Sequence, residues 1–280
     1  MKNSDLKTVE GFGREWSSFD QNGLSDKDKL KIFDDYFHIF PWTKLSSNAI
    51  GLDVGCGSGR WARVVAPRVG HLHLVDASQD ALQISKDNLC FSVNCSFHHA
   101  SVGNLPLRDK SLDFAYSLGV LHHVPDTVDA IREVAKKLKE GAPFLLYLYY
   151  AFDDRPIWFR SLWKVSDVMR RFICRLPYML RLPLCQLIAT IIYFPFARVA
   201  RLLDSFEVMP KSWPLAYYRD KSFYVMRTDA LDRFGTRLEK RFSKLEIKLM
   251  LENSGFNNIH FSDKQPYWCV VGIRDKICVG

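Results

Sequence analysis

Three glycines follow a short apolar run near residue 50 and form the strongest chemical signal in the chain. The run 49–54 leads into Gly55, Gly57 and Gly59, with Cys56 between the first two. Glycine lets the backbone turn sharply and approach a ligand closely, and the N–H groups of a following helix favour a negative group. The G-x-G-x-G spacing differs from the G-x-G-x-x-G loop that holds a dinucleotide pyrophosphate. The loop therefore predicts a ligand site and disfavours a hydride-transferring dehydrogenase.

Two acids lie at the ends of the apolar runs beside this loop. Asp53 precedes the loop, where it can face a cationic amine, and Asp76 ends the next run, 71–75. An acid in the position of Asp76 can accept hydrogen bonds from both hydroxyls of a ribose. The glycine turn and the two acids together predict a ligand that carries an amino group and a ribose.

Apolar runs alternate with amphipathic stretches from residue 48 onward, which predicts parallel strands joined by helices. Strands are predicted at 49–54, 71–75, 95–100, 112–118 and 143–149, and helices at 59–67, 78–89 and 127–138. A capping box at Ser243–Glu246 opens a further helix, and two final runs, 256–262 and 267–273, predict an antiparallel pair. The fold class is therefore an open α/β sheet over 48–150 and 243–280, with an N-terminal helical segment, 1–47, and an insert, 151–242.

The net charge of +8 is concentrated in the insert. Between Arg155 and Arg201 nine basic residues accompany a single acid, Asp167, which accounts for the whole excess. An amphipathic helix with basic residues mainly off its apolar stripe is predicted from the spacing of Trp158, Leu162, Val165, Met169 and Phe172. The uncharged stretch 182–197 contains two prolines and is shorter than the roughly 20 residues that span a bilayer. Two interpretations stay open: a buried lid helix, or an apolar cap that touches a membrane or a lipid-linked substrate.

The composition is that of a globular protein. Of 280 residues 48% are hydrophobic and 25% charged, which excludes a wholly disordered or fibrous chain. Seven cysteines form no C-x-x-C pair, so no metal site is expected. The polar start of the chain has no apolar segment behind it, which predicts no signal peptide and a cytoplasmic location.

Four motifs resemble those of the class I S-adenosylmethionine-dependent methyltransferases of the UbiE-like group. They are L-D-V-G-C-G-S-G at 52–59, L-V-D at 74–76, N-L-P-L at 104–107 and S-L-G-V-L-H-H-V-P-D at 117–126. The G-F-G-R-E-W at 11–16 is similar to a leader found before many bacterial members. The resemblance covers about 48–149 and the final helix and strands. It implies a Rossmann-like seven-stranded sheet of order 3-2-1-4-5-7-6 and S-adenosylmethionine as the cofactor.

The resemblance also implies roles for individual residues. The loop residues Gly55, Cys56, Gly57 and Gly59 would flank the methionine moiety, Asp53 would serve its amino group and Asp76 would hold the ribose. The remaining cofactor contacts would come from Ala77 at the adenine face and from Ser117 and Leu118 on the methionine side.

One position departs from the pattern. Many relatives place Asp where this chain has Ser101, and that Asp binds the adenine amino group. The Ser101 hydroxyl and the Val102 backbone would take its place here. Losing one net hydrogen bond would cost about 0.5–1.5 kcal/mol of binding free energy.

Two adjacent histidines, His122 and His123, follow the fourth predicted strand and are candidate catalytic bases. A neutral imidazole can accept a proton from an acceptor hydroxyl. The alternative is that both serve in capping and packing.

Three tyrosines follow the fifth predicted strand: Tyr147, Tyr149 and Tyr150. They either line an acceptor pocket or pack in the core. The position after the fourth strand lacks the [D/N]-P-P-[Y/F/W] motif common in exocyclic-amine methyltransferases of nucleic-acid bases, which argues against that subclass.

These patterns predict a soluble or peripherally membrane-associated enzyme that methylates an oxygen of an anionic or lipid-linked small molecule, such as a glycan or natural-product precursor. Membrane contact is expected through 155–201. One alternative is a tRNA or other RNA methyltransferase, although the apolar run fits lipid better than a phosphate track. The other is a binding protein that keeps the cofactor without turnover.

Overall fold

The computed structural model describes residues 1–18, 26–153, 155–210 and 212–275. Its described residues divide into two compact units. Of these residues, the first unit contains 1–18, 29–151 and 238–275, and the second contains 26–28 and the described part of 152–237. The described part of 1–47 thus lies largely with the sheet, and so do residues 238–242. The latter join the sheet because the backbone N–H groups of Lys240 and Phe242 donate to the carbonyls of His122 and Tyr149.

The first unit is built on a seven-stranded sheet. The strands are β1 (Ile50–Val54), β2 (His71–Asp76), β3 (Cys95–His99), β4 (Phe114–Leu118), β5 (Pro143–Tyr147), β6 (Phe256–Phe261) and β7 (Cys269–Arg274). Their order is β3-β2-β1-β4-β5-β7-β6, with β7 antiparallel to both β5 and β6 and the other pairs parallel. The predicted fold class, strand order and antiparallel edge pair are confirmed.

The α-helices of the described residues follow in chain order. They are α1 (Leu6–Ser18), α2 (Asp26–Phe37), α3 (Ala62–Val65), α4 (Gln79–Asn88), α5 (Thr127–Lys137), α6 (Ile157–Ile173), α7 (Tyr178–Ile188), α8 (Phe194–Ser205), α9 (Phe223–Gly235) and α10 (Lys244–Glu252). The helix predicted over 59–67 is shorter, since Pro67 cannot donate a helical hydrogen bond and the chain passes into a 3₁₀ turn at 66–68.

Helix starts follow the local chemistry of the sequence. The Asp126 side chain accepts from the backbone N–H of Asp129, and Ser243 and Glu246 form the reciprocal capping box. The five residues of β4 are all buried, which makes this strand the centre of the core. Helices that begin at fixed caps and a buried central strand hold the carboxyl edge of the parallel strands in place.

The second unit is helical and is organised around α9. Helices α6 and α7 and the π-helical turn at 189–193 all pack against α9. Inside the unit, Asp167 accepts from Arg170 Nε at 2.8 Å and from Arg171 Nε at 2.9 Å, and the Arg170 guanidinium also donates to the Thr236 carbonyl. Asp167 and Arg170 are both buried. Asp167, the one acid of the basic segment 155–201, is therefore paired within the unit.

Helix α6 is inverted relative to an ordinary amphipathic helix. The predicted apolar stripe faces solvent: Trp158 is 53% exposed, Leu162 51%, Val165 61%, Met169 44% and Phe172 68%. Its inward face instead carries the buried Asp167–Arg170 pair. The apolar side chains of this stripe are therefore not those that pack inside the unit.

The apolar stretch that follows forms one continuous helix from Tyr178 to Ser205, of 28 residues, in spite of its prolines. Pro183 lies within α7, and the π-helical turn just before Pro195 changes the hydrogen-bond register where that proline cannot donate. By length and composition alone this helix could cross a membrane, with 28% of its most apolar window buried. The uncharged stretch 182–197 was expected to be too short to span a bilayer, but the helix that contains it has 28 residues and is long enough.

A cluster of histidines occupies the face of β2 and β3 near the sheet edge. His73 Nδ1 lies 3.1 Å from His98 Nε2, and the His71 and His73 ring centroids are 4.7 Å apart. Partial burial, together with the neighbouring His71 and His98, lowers the pKa of His73 to about 4, and burial also lowers the pKa of His98. The folded protein therefore disfavours protonation of this face.

We expect this cluster to destabilise the protein as the pH falls from about 6.5 to about 4. In that window the unfolded chain binds protons that the folded chain does not, so the free energy of unfolding decreases. Replacing His73 and His98 together by Gln should flatten the decrease by about 1–2 kcal/mol, after allowance for solvent screening of these half-exposed groups. Urea unfolding at pH 7, 5.5 and 4 measures the difference.

His260→Gln is the matched control, because His260 is exposed on the opposite edge strand, β6. It should leave the pH dependence as in the wild type. A double variant whose unfolding free energy still tracks the wild type at all three pH values would contradict the assignment.

Candidate cofactor-binding site

The glycine loop makes the turn that the sequence predicts. Gly55, Gly57 and Gly59 have φ of +76°, +54° and +74°, a region that other residues rarely adopt. A Cβ on Gly55 would lie 2.4 Å from a methyl of Val120, and one on Gly57 would lie 2.8 Å from the Trp16 ring. Glycine is required here by both backbone conformation and space.

Asp53 is buried beside this loop. In the register of β1 and β4 it pairs with Tyr116, whose hydroxyl donates to Asp53 Oδ2 at 2.9 Å. Burial raises the pKa of Asp53 from 3.8 to about 8, with Asp76 adding to the rise and the Tyr116 hydrogen bond opposing it. A carboxyl group with this pKa is ready to ionise when a cation such as a ligand ammonium arrives.

Asp76 ends β2 and is half-buried. Its Oδ2 accepts from the Gly57 N–H at 2.9 Å and its Oδ1 from the Ser78 N–H at 2.8 Å. A carboxylate offers about four lone-pair positions. Each oxygen therefore keeps capacity for one more donor, as two ribose hydroxyls would require.

The other predicted contact residues take varied positions. Ser117 is fully buried and donates to the Val54 carbonyl, so its hydroxyl is used within the sheet. Ser101 is buried, and its hydroxyl donates to the Lys2 carbonyl. The rest lie at the same edge of the sheet: Ala77 directly after β2, Val102 in the turn after Ser101, Leu118 at the end of β4, and Cys56, whose pKa is raised well above its usual range by burial.

The first eighteen residues run across this edge, which sequence reasoning missed. Asn3 exchanges two hydrogen bonds with the Asp126 backbone, at 2.7 and 2.8 Å. A Cβ on Gly103 would lie 2.7 Å from the Lys2 carbonyl. Further along, Trp16 covers Gly57. The G-F-G-R-E-W motif could have indicated this packing. Its Gly13 lies so close to Ser78 that an added Cβ would be 2.7 Å from Ser78 Oγ.

The two histidines after β4 occupy different environments. His122 is fully buried, stacks on Tyr149 with ring centroids 3.8 Å apart, and neither ring nitrogen has a hydrogen-bond partner among the described residues. Burial lowers the pKa of His122 well below its usual range. His123 Nδ1 lies 2.6 Å from the Leu238 carbonyl, and Phe12 contacts its ring. A carbonyl only accepts, so Nδ1 carries the proton and Nε2 carries the lone pair in neutral His123.

The residues present fit an S-adenosyl group. The glycine turn admits close approach, Asp76 retains acceptor capacity for a ribose, and Asp53 can balance an ammonium. The part of the chain that the structure describes contains no group of three or more His, Cys, Asp or Glu side chains arranged to hold a metal ion.

Comparison with known proteins agrees with this geometry. Residues 52–146 match the sequence profile of the family described as methyltransferase domain. Residues 52–146 therefore form a methyltransferase domain, and their motifs support the class I S-adenosylmethionine-dependent type. The matched segment runs from β1 through β5 and contains the glycine loop, Asp53, Asp76 and both histidines.

Curated relatives match this same region of the methyltransferase. The chain is 32% identical over 108 residues to the uncharacterized methyltransferase YcgJ of Bacillus subtilis, covering 37% of this chain and 42% of that protein. It is 29% identical over 107 residues to a demethylmenaquinone methyltransferase of Staphylococcus epidermidis, covering 37% and 44%. The matched stretch therefore spans less than half the length of these relatives.

Solved structures share the fold. An S-adenosylmethionine-dependent methyltransferase from Thermotoga maritima aligns with a TM-score of 0.51 and 15% identity, over 96% of this chain and 100% of that one. A second, from Methanosarcina mazei, aligns with a TM-score of 0.52 and 15% identity, over 85% and 98%. At this identity the likeness concerns the fold alone.

S-adenosylmethionine, when bound, supplies an electrophilic methyl group on a sulfonium. The task of the chain is to hold that group and align it with a nucleophile about 3–3.5 Å away. Asp76 would orient the ribose through its two free acceptor positions, and Asp53 would hold the amino group. Gly57 has no side chain, and the Trp16 ring occupies the space that a Cβ there would need.

We expect Asp53→Asn to remove a pH-dependent cost of folding in the ligand-free methyltransferase. Between pH 3.8 and about 8 the folded state holds a proton on Asp53 that the unfolded state has lost, so wild-type stability falls with rising pH. The slope due to this group is up to about 1.4 kcal/mol per pH unit. The gain in unfolding free energy of Asp53→Asn over wild type should grow from pH 5 to pH 8 and then level off, as measured by urea unfolding.

Asp87→Asn, on the exposed face of α4, supplies the control and should differ from wild type by a constant amount. If the Asp53→Asn difference is equally constant, the raised pKa is wrong.

Ser101→Asp should loosen the N-terminal segment instead of simply restoring an adenine contact. The new carboxylate would face the Lys2 carbonyl, replacing a hydrogen bond by repulsion between two acceptors. Amide exchange in α1 should quicken about tenfold, a cost of about 1.4 kcal/mol. Ser101→Asn keeps an N–H donor and should exchange as the wild type does; equal rates in all three proteins would refute the contact.

Proposed function

We propose that this methyltransferase transfers the methyl group of S-adenosylmethionine to an oxygen of an anionic small molecule or lipid-linked acceptor. The proposal rests on one observation: the glycine turn, the carboxyl groups of Asp53 and Asp76, and the oriented ring of His123 all lie at one edge of the sheet. Turnover, rather than cofactor binding alone, is supported by that histidine.

His123 is the proposed general base. Its Nδ1–H is directed to the Leu238 carbonyl, which fixes the tautomer and turns the basic Nε2 away from that contact. An acceptor hydroxyl needs such a base, because it must lose its proton as the methyl carbon is attacked. His122 is assigned to packing, since it is fully buried against Tyr149 and its pKa is well below the usual range.

An anionic acceptor is inferred from charge. Residues 155–201 of the second unit carry the whole positive excess of the chain, and Asp167, the one acid of that segment, is paired internally. Arg160, Lys164, Arg175 and Arg201 are exposed, and none forms an ion pair with a described residue. Guanidinium groups bind carboxylate and phosphate in a bidentate manner.

The same charge would also suit RNA, but its surroundings favour a lipid-linked acceptor. A phosphate track interleaves basic side chains with stacking aromatics or polar groups. Two exposed aromatic side chains, Trp158 and Phe172, do lie on α6 with the basic residues. Most of its exposed apolar side chains are nevertheless not aromatic, and these are Ile157, Leu162, Val165, Val168 and Met169.

The test is transfer of labelled methyl from S-adenosylmethionine into cell extracts separated into lipid, polar small-molecule and RNA fractions. We expect label in an anionic component of the first two fractions, stable as an ether or released by alkali as an ester. Label confined to RNA would favour the rival activity. Binding of S-adenosylmethionine with no label in any fraction would favour the non-catalytic alternative.

His123→Gln should lower the turnover of the labelled acceptor by about 10²–10⁴-fold while cofactor affinity, measured by calorimetry, stays within about twofold. His122→Phe keeps the stacked ring and removes two nitrogens without partners, so it should retain most of the activity. Equal losses in the two variants would contradict the assignment of the base.

A further inference from the structure

Exposed apolar side chains are unevenly distributed over the protein. Among the described residues, 26 large apolar side chains are exposed, and 18 of them lie between 157 and 208. Soluble monomers rarely expose a large contiguous apolar patch unless it binds something. This concentration of exposed apolar side chains in the second unit therefore indicates a surface that binds another molecule or a membrane.

On α6 this surface has a defined arrangement. At about 100° per residue, Trp158, Leu162, Val165, Met169 and Phe172 fall within an arc of about 80°. The exposed residues Arg160, Lys164 and Arg171 lie about 120–160° from the centre of that arc, all on one side of the helix, and Arg175 follows its end. Asp167 and Arg170 form the buried face opposite the stripe. An apolar stripe with basic residues on the polar side of the helix is the pattern of helices that lie in the interface of an anionic membrane.

The helix formed by α7, the π-helical turn and α8 also has an exposed apolar face. Its inward face is buried through small or polar residues such as Cys185, Ala189 and Ala197. Its outward face exposes Met179 (86%), Ile191 (58%) and further apolar side chains, which are Leu180, Leu187, Phe194, Phe196, Val199 and Leu202. Arg201 is exposed on the same helix.

The inward face of this helix distinguishes lying on a membrane from spanning it. Gln186 of this helix accepts a hydrogen bond from Arg227 of α9. Burial raises the pKa of Tyr193, and the nearby charges of Arg233 and Asp229 on α9 oppose and reinforce that rise, respectively. A spanning helix would place these charged groups near the hydrocarbon centre, where they are costly. A helix that lies in the interface immerses only its outward face and leaves α9 in water.

We propose that α6 and the Tyr178–Ser205 helix form a docking surface for the anionic surface of a lipid bilayer. The apolar side chains enter the interfacial layer, and Arg160, Lys164, Arg175 and Arg201 meet lipid phosphates. The docking surface is independent of methyl transfer and stands whether or not the proposed acceptor is correct.

The test is flotation of the 280-residue protein with vesicles of phosphatidylcholine alone or with one third phosphatidylglycerol, at low and high salt. The wild type should float with the anionic vesicles and dissociate as salt is raised. Val165→Glu/Phe172→Glu and Met179→Glu/Ile191→Glu should each lower the partition coefficient at least tenfold. The control, Phe91→Glu/Leu245→Glu, adds the same charge at exposed apolar positions of the first unit and should bind as the wild type does.

The basic residues are tested separately. Arg160→Ser/Lys164→Ser/Arg175→Ser should weaken binding about a hundredfold, or about fivefold per residue removed. Lys110→Ser/Lys136→Ser/Lys248→Ser removes the same charge elsewhere and should have little effect. Equal binding of both triple variants would overturn the role of charge.

Three outcomes overturn the docking surface. In the first, the glutamate variants float as the wild type does. In the second, membrane-bound protein resists an alkaline carbonate wash, which indicates a spanning helix. In the third, the wild type alone forms a dimer that Val165→Glu/Phe172→Glu dissociates, which indicates that a second copy covers the face. Calorimetric binding of S-adenosylmethionine to the same preparations reports separately on the proposed function. Vesicle binding without cofactor binding leaves docking intact and removes methyl transfer, and the converse removes docking alone.

Discussion

The buried carboxyl group of Asp53 is the constraint around which the sheet unit is organised. The hydrogen bond that Asp53 accepts from Tyr116 links β1 to β4. Asp53 also lies only two residues before Gly55, the first glycine of the loop. Burial of a carboxyl group is expensive unless the group is paired or protonated, which is why its pKa rises. A cationic ligand group at this edge would relieve that cost. The free energy stored in a destabilised carboxyl is thus available for ligand binding.

The N-terminal segment depends on the same edge. Trp16 lies over Gly57, and the Lys2 carbonyl takes the Ser101 hydroxyl, so the first helix and the cofactor loop constrain each other's conformation. The position at which many relatives carry an acid is therefore engaged by the chain's own backbone. An acid there would face a carbonyl oxygen, which gives a physical reason for serine at this position.

In the helical unit, the charged pair of α6 is buried and its apolar side chains are exposed. Its one acid in the basic segment, Asp167, is placed inside with Arg170, and the apolar stripe of α6 is placed outside. Burial of a charge pair is weak evidence for stability, whereas removal of one partner would be costly. The arrangement fits the proposed docking surface, because the hydrophobic effect would then act between protein and membrane instead of within the unit.

The sequence by itself determined the sheet, the strand order through the family resemblance, the glycine turn, the caps at Asp126 and Ser243, and the cofactor class. These follow from local rules: strand periodicity, positive φ at glycine, and short-range capping. Only the tertiary structure decided which side of α6 faces solvent, since the spacing of Trp158 and its partners is the same for a stripe turned in or out. It also decided the tautomer of His123 and the cover of Trp16 on Gly57, because each depends on a contact between residues far apart in the chain.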